Sequence, residues 1–299
     1  MPIDYERLDP YQFGGVLPSG CRYDNAPVVI LPVPFDRTTS YMSGTRHGPR
    51  ELLLASAQVE LWDEEVGADV LSRGIFTLPE MDLSSATLEA AMATLQRVSG
   101  DILDHDKFLV TIGGEHSITS PIVAAAAARH KGLSVLQIDA HADLRDSYQS
   151  QRHSHACAMR RTLDHATLVQ VGIRNISEEE IRALPELQTT IFYDWNMRED
   201  PDWIDRATDA LSDAVYVTID LDGLDPATMP AVGTPEPGGL SWRELTTLLR
   251  RTFERKAVVA ADVVELSPLP GLVTPNFIAA RLVYKLLSYR FGLSGRSAT

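Results

Sequence analysis

The stretch VLQIDAHAD at residues 135–143 joins an apolar, β-branched run to an alternating series of acids and a histidine. A second stretch, VYVTIDLDGLDP at residues 215–226, has the same form. Alternate side chains of an extended strand point to the same face, so the acids and the histidine of each stretch project together. The residues concerned are Asp139, His141 and Asp143 in the first stretch and Asp220 and Asp222 in the second.

Apolar runs of this kind recur along the chain, with helical stretches between them. The predicted strands are Val28–Val33, Phe108–Ile112, Val135–Ile138, Leu168–Ile173, Val215–Ile219 and Val258–Val264. The predicted helices are Pro49–Ser56, Leu88–Asp104, Pro121–His130, Glu178–Leu184, Asp202–Leu211, Trp242–Arg255 and Pro275–Tyr289. Continuous apolar strands that alternate with helices indicate an α/β fold with one mainly parallel sheet and helices on both faces. We predict a single domain over residues 1–299, with residues 1–26 as an irregular N-terminal arm.

A third motif is expected at the same edge of the sheet as the two acidic clusters. His116, in IGGEHS, also follows an apolar run, FLVTI at residues 108–112. Ligands of open parallel sheets bind beyond the carboxyl ends of the strands, so we expect all six side chains there. Four crowded carboxylates repel one another unless cations hold them, and two divalent ions would balance their charge.

The set of donor atoms favours transition-metal ions. Carboxylates with two imidazoles and no thiolate suit Mn²⁺, Zn²⁺ or Fe²⁺ better than Ca²⁺ or Mg²⁺, and the excess of carboxylates favours Mn²⁺. Two such ions, roughly 3.5–4 Å apart, activate a shared water molecule, so that hydroxide is available near neutral pH. Each motif alone is commonly a turn, a cap or a surface pair, so the prediction depends on finding all three together.

The composition of the chain narrows the choice of partners. A formal net charge of −14 disfavours nucleic acid and an anionic membrane surface, and it suits a small cationic substrate. Acidity of this kind is also common for solubility alone. With only Cys21 and Cys157, neither a disulfide framework nor a cysteine zinc site is expected. The chain shows no signal peptide and no apolar run long enough to span a membrane, so we expect a cytoplasmic enzyme.

Taken in order, the motifs resemble those of the ureohydrolase family of arginases and agmatinases, and agmatinase most closely. They are GGEHS, DAHAD, SHACAMRR, DLDGLDP with GTPEPGGLS, and DVVELSP. The likeness runs from LPVPFD at Leu31 to AARLVYKLL near the C-terminus. It implies a three-layer αβα arginase-like fold, two Mn²⁺ ions per chain, and hydrolysis of a guanidino group to urea and an amine. It also implies a homo-oligomer, either a trimer or a hexamer.

The resemblance implies a ligand set for each ion. One ion would bind His116, Asp139, Asp143 and Asp220, and the other Asp139, His141, Asp220 and Asp222. Asp139 and Asp220 would therefore bridge the two ions. In the implied mechanism a bridging hydroxide attacks the guanidinium carbon, and Asp143 accepts a hydrogen bond from that hydroxide.

Two further matched residues would handle the substrate. Glu265 corresponds to the family glutamate that holds the guanidinium, and planar guanidinium and carboxylate groups do pair in a two-pronged geometry. His155 corresponds to the histidine that shuttles a proton, since an imidazole titrates near neutral pH. His153 is the alternative for that role, or would line the pocket.

The preferred substrate has to be inferred from residues expected around the entrance of the active site. Arginases carry an acidic pair after VGIR, whereas this chain has VGIRNIS with Asn175 and Ser177, which counts against arginine. Glu236 in GTPEPGGLS resembles agmatinase, and we expect it to contact substrate together with those two residues. The predicted reaction is agmatine and water to putrescine and urea. Guanidinobutyrate, aminopropylagmatine, free guanidine and arginine stay open as substrates.

Two other classes of function have to be weighed. A deacetylase-like amidohydrolase of the same general fold would use one zinc ion and would not need the second set of ligands. An inactive homologue would usually have lost a ligand or the proton shuttle, and every matched position is present here. Both alternatives are therefore disfavoured.

Overall fold

A computed structural model of the chain describes residues 10–293. Its centre is an eight-stranded sheet in which every neighbouring pair of strands is parallel. In chain order the strands of the whole structure are β1 (Val28–Val33), β2 (Trp62–Asp63), β3 (Ala68–Asp69), β4 (Ile75–Thr77), β5 (Phe108–Gly113), β6 (Ser134–Ile138), β7 (Thr167–Ile173), β8 (Thr189–Tyr193), β9 (Ala214–Asp220) and β10 (Ala257–Val264). The spatial order in the sheet is β4-β1-β5-β10-β9-β6-β7-β8, while β2 and β3 form a separate antiparallel pair.

Helices cover both faces of the sheet. They are α1 (Gly48–Ser56), α2 (Leu88–Asp104), α3 (Thr119–Arg129), α4 (Ala158–Thr162), α5 (Glu178–Ala183), α6 (Asp194–Met197), α7 (Trp203–Asp209), α8 (Trp242–Arg255) and α9 (Thr274–Gly292). The buried side chains of α1, α7, α8 and α9 belong to the hydrophobic core on one face. Those of α2, α3 and α4 belong to the core on the other face. Alternate residues of β1 enter the two cores, Val28 and Ile30 on one side and Val29 and Leu31 on the other.

The predicted fold class is confirmed, since one parallel sheet lies between two layers of helices. All six predicted strands are present, with each end within one residue of its predicted position. The sequence prediction missed the two outermost strands, β4 and β8. β4 is only three residues long, and β8 is half-exposed along most of its length, so neither reads as a continuous buried run.

The N-terminal segment falls partly outside the described residues, since residues 1–9 are not among them. From residue 10 to residue 27 the chain forms turns and one short 3₁₀ helix, Tyr23–Asn25. Phe13 is buried, and its backbone N–H donates to the hydroxyl of Thr77 at 2.9 Å. This contact attaches the segment to the edge of the sheet at β4.

Between residues 10 and 293, no helix is both long and apolar enough to cross a membrane.

Candidate metal centre

The predicted ligands lie together because the four central strands of the sheet end side by side. β5, β10, β9 and β6 are consecutive neighbours, and the chain leaves each of them at the same edge. His116 follows β5, and Glu265 follows β10. Asp139 and Asp143 follow β6, Asp220 is the last residue of β9, and Asp222 lies just beyond it, where parallel strands present their carboxyl ends.

One group of ligand atoms surrounds the imidazole of His116. Its Nδ1 lies 3.0 Å from Asp139 Oδ2, 3.1 Å from Asp143 Oδ2 and 3.4 Å from Asp220 Oδ2. Ligand atoms of His116, Asp139 and Asp220 all lie within 4.8 Å of one another, which is the spacing of a candidate cation site. All four side chains are buried.

A second group surrounds the imidazole of His141. Its Nδ1 lies 3.0 Å from Asp222 Oδ2 and 3.6 Å from Asp139 Oδ1. His141, Asp139 and Asp222 again offer ligand atoms within 4.8 Å of one another. Asp139 belongs to both groups, with one oxygen facing each histidine, as a carboxylate that bridges two ions must.

The predicted bridging role of Asp220 has less geometric support than that of Asp139. Asp220 Oδ2 faces His116, while its Oδ1 accepts a hydrogen bond from the backbone N–H of Asp222 at 2.9 Å. Asp220 is not part of the second group at the 4.8 Å spacing. Its membership of both ligand sets therefore remains a prediction.

A chain of hydrogen bonds fixes the tautomer of His116. Its Nε2 lies 2.9 Å from the hydroxyl of Thr218, which donates to Asp262 Oδ1 at 2.6 Å. The hydroxyls of Thr119 and Tyr216 donate to the other oxygen of Asp262, so this carboxylate acts only as an acceptor. Because Thr218 donates its single proton to Asp262, it accepts from His116 Nε2–H, and Nδ1 carries the lone pair.

This tautomer makes a cation the natural partner of His116 Nδ1. The nitrogen is buried, and within residues 10–293 it completes no hydrogen bond. A lone pair that faces three carboxylate oxygens is repelled by them unless a positive charge lies between. The residues therefore fit a divalent ion, for which Thr218 and Asp262 would hold the ligand His116 in its orientation.

Backbone and amide donors hold the carboxylates in place. The N–H of His141 donates to Asp139 Oδ1 at 2.6 Å, and the side-chain amide of Gln137 donates to Asp139 Oδ2 at 2.6 Å. The N–H of Ala140 donates to Asp222 Oδ1 at 3.1 Å. These contacts fix the Asp139 and Asp222 carboxylates in advance, so a cation would find these two ligands already oriented.

The cluster contains more carboxylates than its positive charges can neutralise, and this helps to raise the pKa of two of its acids. Burial and the neighbouring charge of Asp139 raise the pKa of Asp143 to about 7. Burial and the charges of Asp222 and Asp139 raise the pKa of Asp220 well above its usual value.

The histidines partly compensate for this excess of acid. Burial opposes the charged form of His141, but Asp222 and Asp139 outweigh it and raise its pKa to about 12. The carboxylates raise the pKa of His116 well above its ordinary value in the same way, again against burial. Without bound cations, protons must therefore occupy the positions that cations would take.

Two residues of the site adopt a backbone conformation that is uncommon for side chains other than glycine. Asp143 has φ 53° and Glu265 has φ 67°. Such conformations cost about 1–3 kcal/mol each and cluster at functional sites. At Glu265 the strain is held by a hydrogen bond from its N–H to Gly114 O at 2.8 Å, which aims its carboxylate towards the ends of the strands.

A cavity of about 250 Å³ opens over both candidate cation sites. It is lined by five of the six predicted ligands, and also by Glu265 and His155. Asp139 lies beneath them, fully buried. Glu265 Oε1 accepts from the backbone N–H of His116 at 2.7 Å, and burial together with the charge of Glu115 raises the pKa of Glu265 well above its ordinary value. The cavity thus places a buried acid beside the two groups of ligands.

His155 stands in the wall of the cavity at the start of a short 3₁₀ helix, His155–Cys157. Its Nδ1 lies 3.4 Å from the hydroxyl of Thr38, and its Nε2 lies 3.4 Å from that of Ser40. The ring of Tyr148 meets its imidazole edge-to-face, with centroids 5.9 Å apart. Burial lowers the pKa of His155 to about 4, so the resting imidazole is neutral.

The predicted substrate contacts divide into two sets. Asn175 lines the cavity, and its side-chain amide donates to Glu236 Oε1 at 2.5 Å, so Glu236 lies just behind it. Ser177 is outside the lining because its hydroxyl is the N-cap of α5, paired with Glu180. His153 is also outside the lining. The structure therefore brings His155, and not His153, into the cavity.

Sequence reasoning missed several residues of the site. The loop Thr39–Met42 forms one lip of the cavity, and Tyr41 there is 78% exposed. Arg145, Thr234 and Glu180 also line it. Thr218 and Asp262, which support His116, read as ordinary strand residues in the sequence. The only signal for Asp262 was that a charged residue interrupts an otherwise apolar strand.

Known proteins resemble this chain over most of its length. The sequence profile of the arginase family matches residues 26–288. An N(1)-aminopropylagmatine ureohydrolase of Synechocystis sp. is 41% identical over 275 residues, covering 89% of this chain and 90% of that protein. An agmatinase of Bacillus cereus is 31% identical over 252 residues, covering 83% and 86%.

A solved structure gives the same picture of the fold. The agmatine ureohydrolase of Thermoplasma volcanium superimposes with a TM-score of 0.85 at 30% identity, covering 95% of this chain and 96% of that one. The likeness confirms the arrangement of the sheet between its two helical layers. It extends over nearly all of the described chain.

Proposed function

This chain belongs to the arginase family and is a ureohydrolase of guanidino compounds, and we propose that its substrate is N(1)-aminopropylagmatine. Hydrolysis of that compound releases urea and a linear triamine. Agmatine, which lacks the aminopropyl group, is the second candidate and would give urea and putrescine. The relative that is 41% identical is named for the longer compound, and the one that is 31% identical for agmatine, so we rank them in that order.

One observation carries the proposal. Two groups of candidate ligands share Asp139, and the buried carboxylate of Glu265 lines the same cavity. A site for two cations beside a buried acid suits a cationic, planar substrate that is attacked by a water-derived nucleophile.

Glu265 is proposed to hold the guanidinium. Its Oε1 accepts one hydrogen bond from the backbone N–H of His116, which leaves a further lone pair there and all of Oε2 for the substrate. A guanidinium offers two parallel N–H donors to such a carboxylate. Because burial disfavours the ionised form of Glu265, a bound cation is needed to keep it charged.

Manganese is proposed as the metal, held by His116, Asp139, Asp143 and Asp220 at one site and by Asp139, His141, Asp220 and Asp222 at the other. When bound, a pair of Mn²⁺ ions would lower the pKa of a water molecule and offset the charge of the four carboxylates. Imidazole and carboxylate donors without thiolate support Mn²⁺ over softer ions. The orphaned lone pair on His116 Nδ1 supports a cation at that position in particular.

The protein's own residues are proposed to manage the protons. Asp143 accepts a hydrogen bond from the attacking nucleophile, which orients it towards the guanidinium carbon. A new C–O bond forms, the C–N bond to the alkyl chain breaks, and the proton of the new hydroxyl passes by way of Asp143 to the leaving nitrogen. His155, neutral at rest because burial lowers its pKa to about 4, would relay a second proton from solvent to the released amine without retaining it. The products are urea and the free amine.

The far end of the substrate is proposed to reach Asn175 and Glu236. Asn175 lines the cavity, and the Glu236 carboxylate behind it offers a negative charge for a distal ammonium group. Arg145 also lines the cavity, but it is paired with Glu179 at 3.5 Å, which leaves it less suited to a substrate carboxylate. This arrangement supports polyamine-like substrates over arginine and guanidinobutyrate.

A manganese-dependent urea assay over a panel of guanidino compounds tests this function. The panel contains N(1)-aminopropylagmatine, agmatine, guanidinobutyrate, guanidine and arginine. We expect the highest kcat/KM for N(1)-aminopropylagmatine. A higher value for guanidinobutyrate or arginine than for both cationic amines would contradict the proposed substrate class.

The single-zinc deacetylase is the alternative from another reaction class. A single zinc ion would use only one group of ligands, so the second group, His141 with Asp139 and Asp222, would have no ion to bind. Release of acetate from acetylated amines, with one zinc ion per chain and no urea from the panel, would favour this alternative.

Three broader properties complete the proposal. We propose a single domain over residues 1–299 with residues 1–26 as an arm, a cytoplasmic location, and a trimeric or hexameric assembly. Two buried cysteines, both free, support a reducing compartment. Sedimentation velocity measures the assembly.

A further inference from the structure

Glu115 is a buried acid in the GGEHS motif for which the proposed reaction has no use. It is fully buried, and it is not among the residues that line the cavity. Its Oε2 accepts from the backbone N–H of Thr38 at 2.6 Å, and its Oε1 accepts from the Thr38 hydroxyl at 2.6 Å. The hydroxyl of Ser117 donates to Oε1 as well. Glu115 thus binds Thr38 through both its backbone and its side chain.

Thr38 carries this contact on to His155. Its hydroxyl oxygen accepts from the backbone N–H of His155 at 3.0 Å and lies 3.4 Å from His155 Nδ1. Because the hydroxyl proton is donated to Glu115, Thr38 faces the imidazole as an acceptor. Ser154 Oγ lies 3.3 Å from the same nitrogen, where a hydroxyl can donate or accept, so it does not decide the tautomer. Thr38 favours a proton on Nδ1, so Nε2 is left to exchange protons in the cavity.

The backbone is shaped to bring these groups together. The N–H of Glu115 donates to the carbonyl of Phe35 at 2.7 Å, and a Cβ at Gly114 would lie 1.9 Å from that same carbonyl oxygen. Only glycine allows this approach. Further along the loop, Asp36 accepts from the N–H of Gly44 at 3.2 Å and pairs with Arg46 at 2.6 Å. The segment that carries Thr38 is therefore anchored on both sides.

We propose that Thr38, anchored to Glu115, is a positioning residue that fixes the orientation and the tautomer of the His155 imidazole. The inference rests on the proton-transfer role of His155 in the proposed function. Thr38 is not among the residues that line the cavity, and its hydrogen bonds run to Glu115 and to His155. It acts through His155, which makes its effect separable from a general effect on the loop.

A double-mutant cycle tests this inference with urea release as the readout. Thr38→Val keeps the shape of the side chain but removes the hydroxyl, and Thr38→Ser retains the hydroxyl as the matched control. General acid–base catalysis contributes typically about 10²–10⁴-fold, so misplacing the imidazole should lower kcat by about 10–100-fold, with KM changed by less than about 3-fold. Thr38→Ser should stay within about 3-fold of the wild type. In a His155→Asn background, Thr38→Val should change kcat by less than about 2-fold, because the group it positions is gone.

Several results would overturn the inference. An equal loss from Thr38→Val in both backgrounds would mean that Thr38 acts through the loop, and an unchanged kcat in the wild-type background would mean that it does not act at all. A wild-type protein that releases no urea, or a His155→Asn variant with full activity, would overturn the proposed role of His155 together with this inference.

A second measurement needs no variant. ¹⁵N-histidine NMR of the wild-type protein, freed of paramagnetic metal by a chelator, reports the tautomer of neutral imidazoles. We expect His155 to carry its proton on Nδ1, and a proton on Nε2 would contradict the arrangement.

Discussion

The hydrogen bond from His116 to Thr218 should control the affinity of one cation site and leave the other unchanged. Thr218→Val preserves the β-branched shape within β9 but removes the acceptor for His116 Nε2–H. Two tautomers of the His116 imidazole are then possible in the variant. The ring can keep the tautomer that presents a lone pair on Nδ1, with Nε2–H buried and unsatisfied, or it can move the proton to Nδ1 and lose the lone pair.

The magnitude follows from the cost of the unsatisfied donor. A buried donor without a partner costs about 1–3 kcal/mol, which corresponds to a dissociation constant for Mn²⁺ that is about 5- to 150-fold higher. Substitution of a residue that hydrogen-bonds to a metal ligand typically lowers metal affinity by about 10- to 100-fold, which agrees with that range. The metal-free protein should be affected less, because a proton on Nδ1 can be shared with Asp139 at 3.0 Å.

Titration of Mn²⁺ into chelator-treated protein, with free Mn²⁺ followed by electron paramagnetic resonance, measures both sites. We expect two sites of unchanged number, with one weakened by about 5- to 150-fold and the other within about 2-fold of wild type. Thr218→Ser keeps the acceptor and should bind like the wild type. Wild-type affinity at both sites in Thr218→Val, or an equal loss at both, would refute the tautomer argument.

Three other outcomes are expected. Glu265→Gln should lower kcat/KM by about 30- to 4,000-fold, because breaking a buried charge pair costs about 2–5 kcal/mol, while the protein still binds two Mn²⁺ ions; a loss below about 5-fold in urea assays would contradict its role. Glu236→Gln should raise KM for N(1)-aminopropylagmatine by about 1.4- to 5-fold and for agmatine by less, since a partly exposed ion pair contributes about 0.2–1 kcal/mol. The chelated protein should lose stability as pH rises above the ordinary histidine pKa of 6.5, because His141, with its pKa raised to about 12, keeps a proton that the unfolded chain releases. The free energy of unfolding should fall by about 1.4 kcal/mol per pH unit for each such proton. Differential scanning calorimetry of the chelated protein between about pH 6.5 and 8.5 measures this, and a melting temperature that rises with pH would contradict it.

Much of the fold could be predicted because its central strands are buried on both faces. Runs such as Val28–Val33 are apolar at every position, which a parallel sheet between helices requires. The edge strand β8, TTIFY, has one covered side and polar residues, so its pattern does not differ from that of a loop. The ends of helices could not be placed to the residue from the apolar pattern. α3 begins at Thr119, two residues before the predicted proline, because it continues directly from the 3₁₀ helix His116–Ile118.

The candidate site was predictable to the extent that its residues lie at strand ends. Asp139, His141 and Asp222 were placed by the common edge of parallel strands. The premise of alternation along a strand was wrong, because all three lie beyond the ends of β6 and β9 and not in extended strand. Ser177 was not, because a serine before EEE is equally good as a helix cap, and the structure uses it that way. Thr38 and Thr218 could not be found from the sequence, since hydroxyl residues in a loop and a strand acquire a role only through contacts distant along the chain.

Counting the bound ions tests the central claim most directly. After equilibrium dialysis against Mn²⁺, elemental analysis should give two ions per chain in the wild type, since Asp139 belongs to both candidate groups. Asp139→Asn, folded as judged by circular dichroism, should retain less than one. A wild-type protein that holds a single ion, or an Asp139→Asn variant that still holds two, would contradict the account.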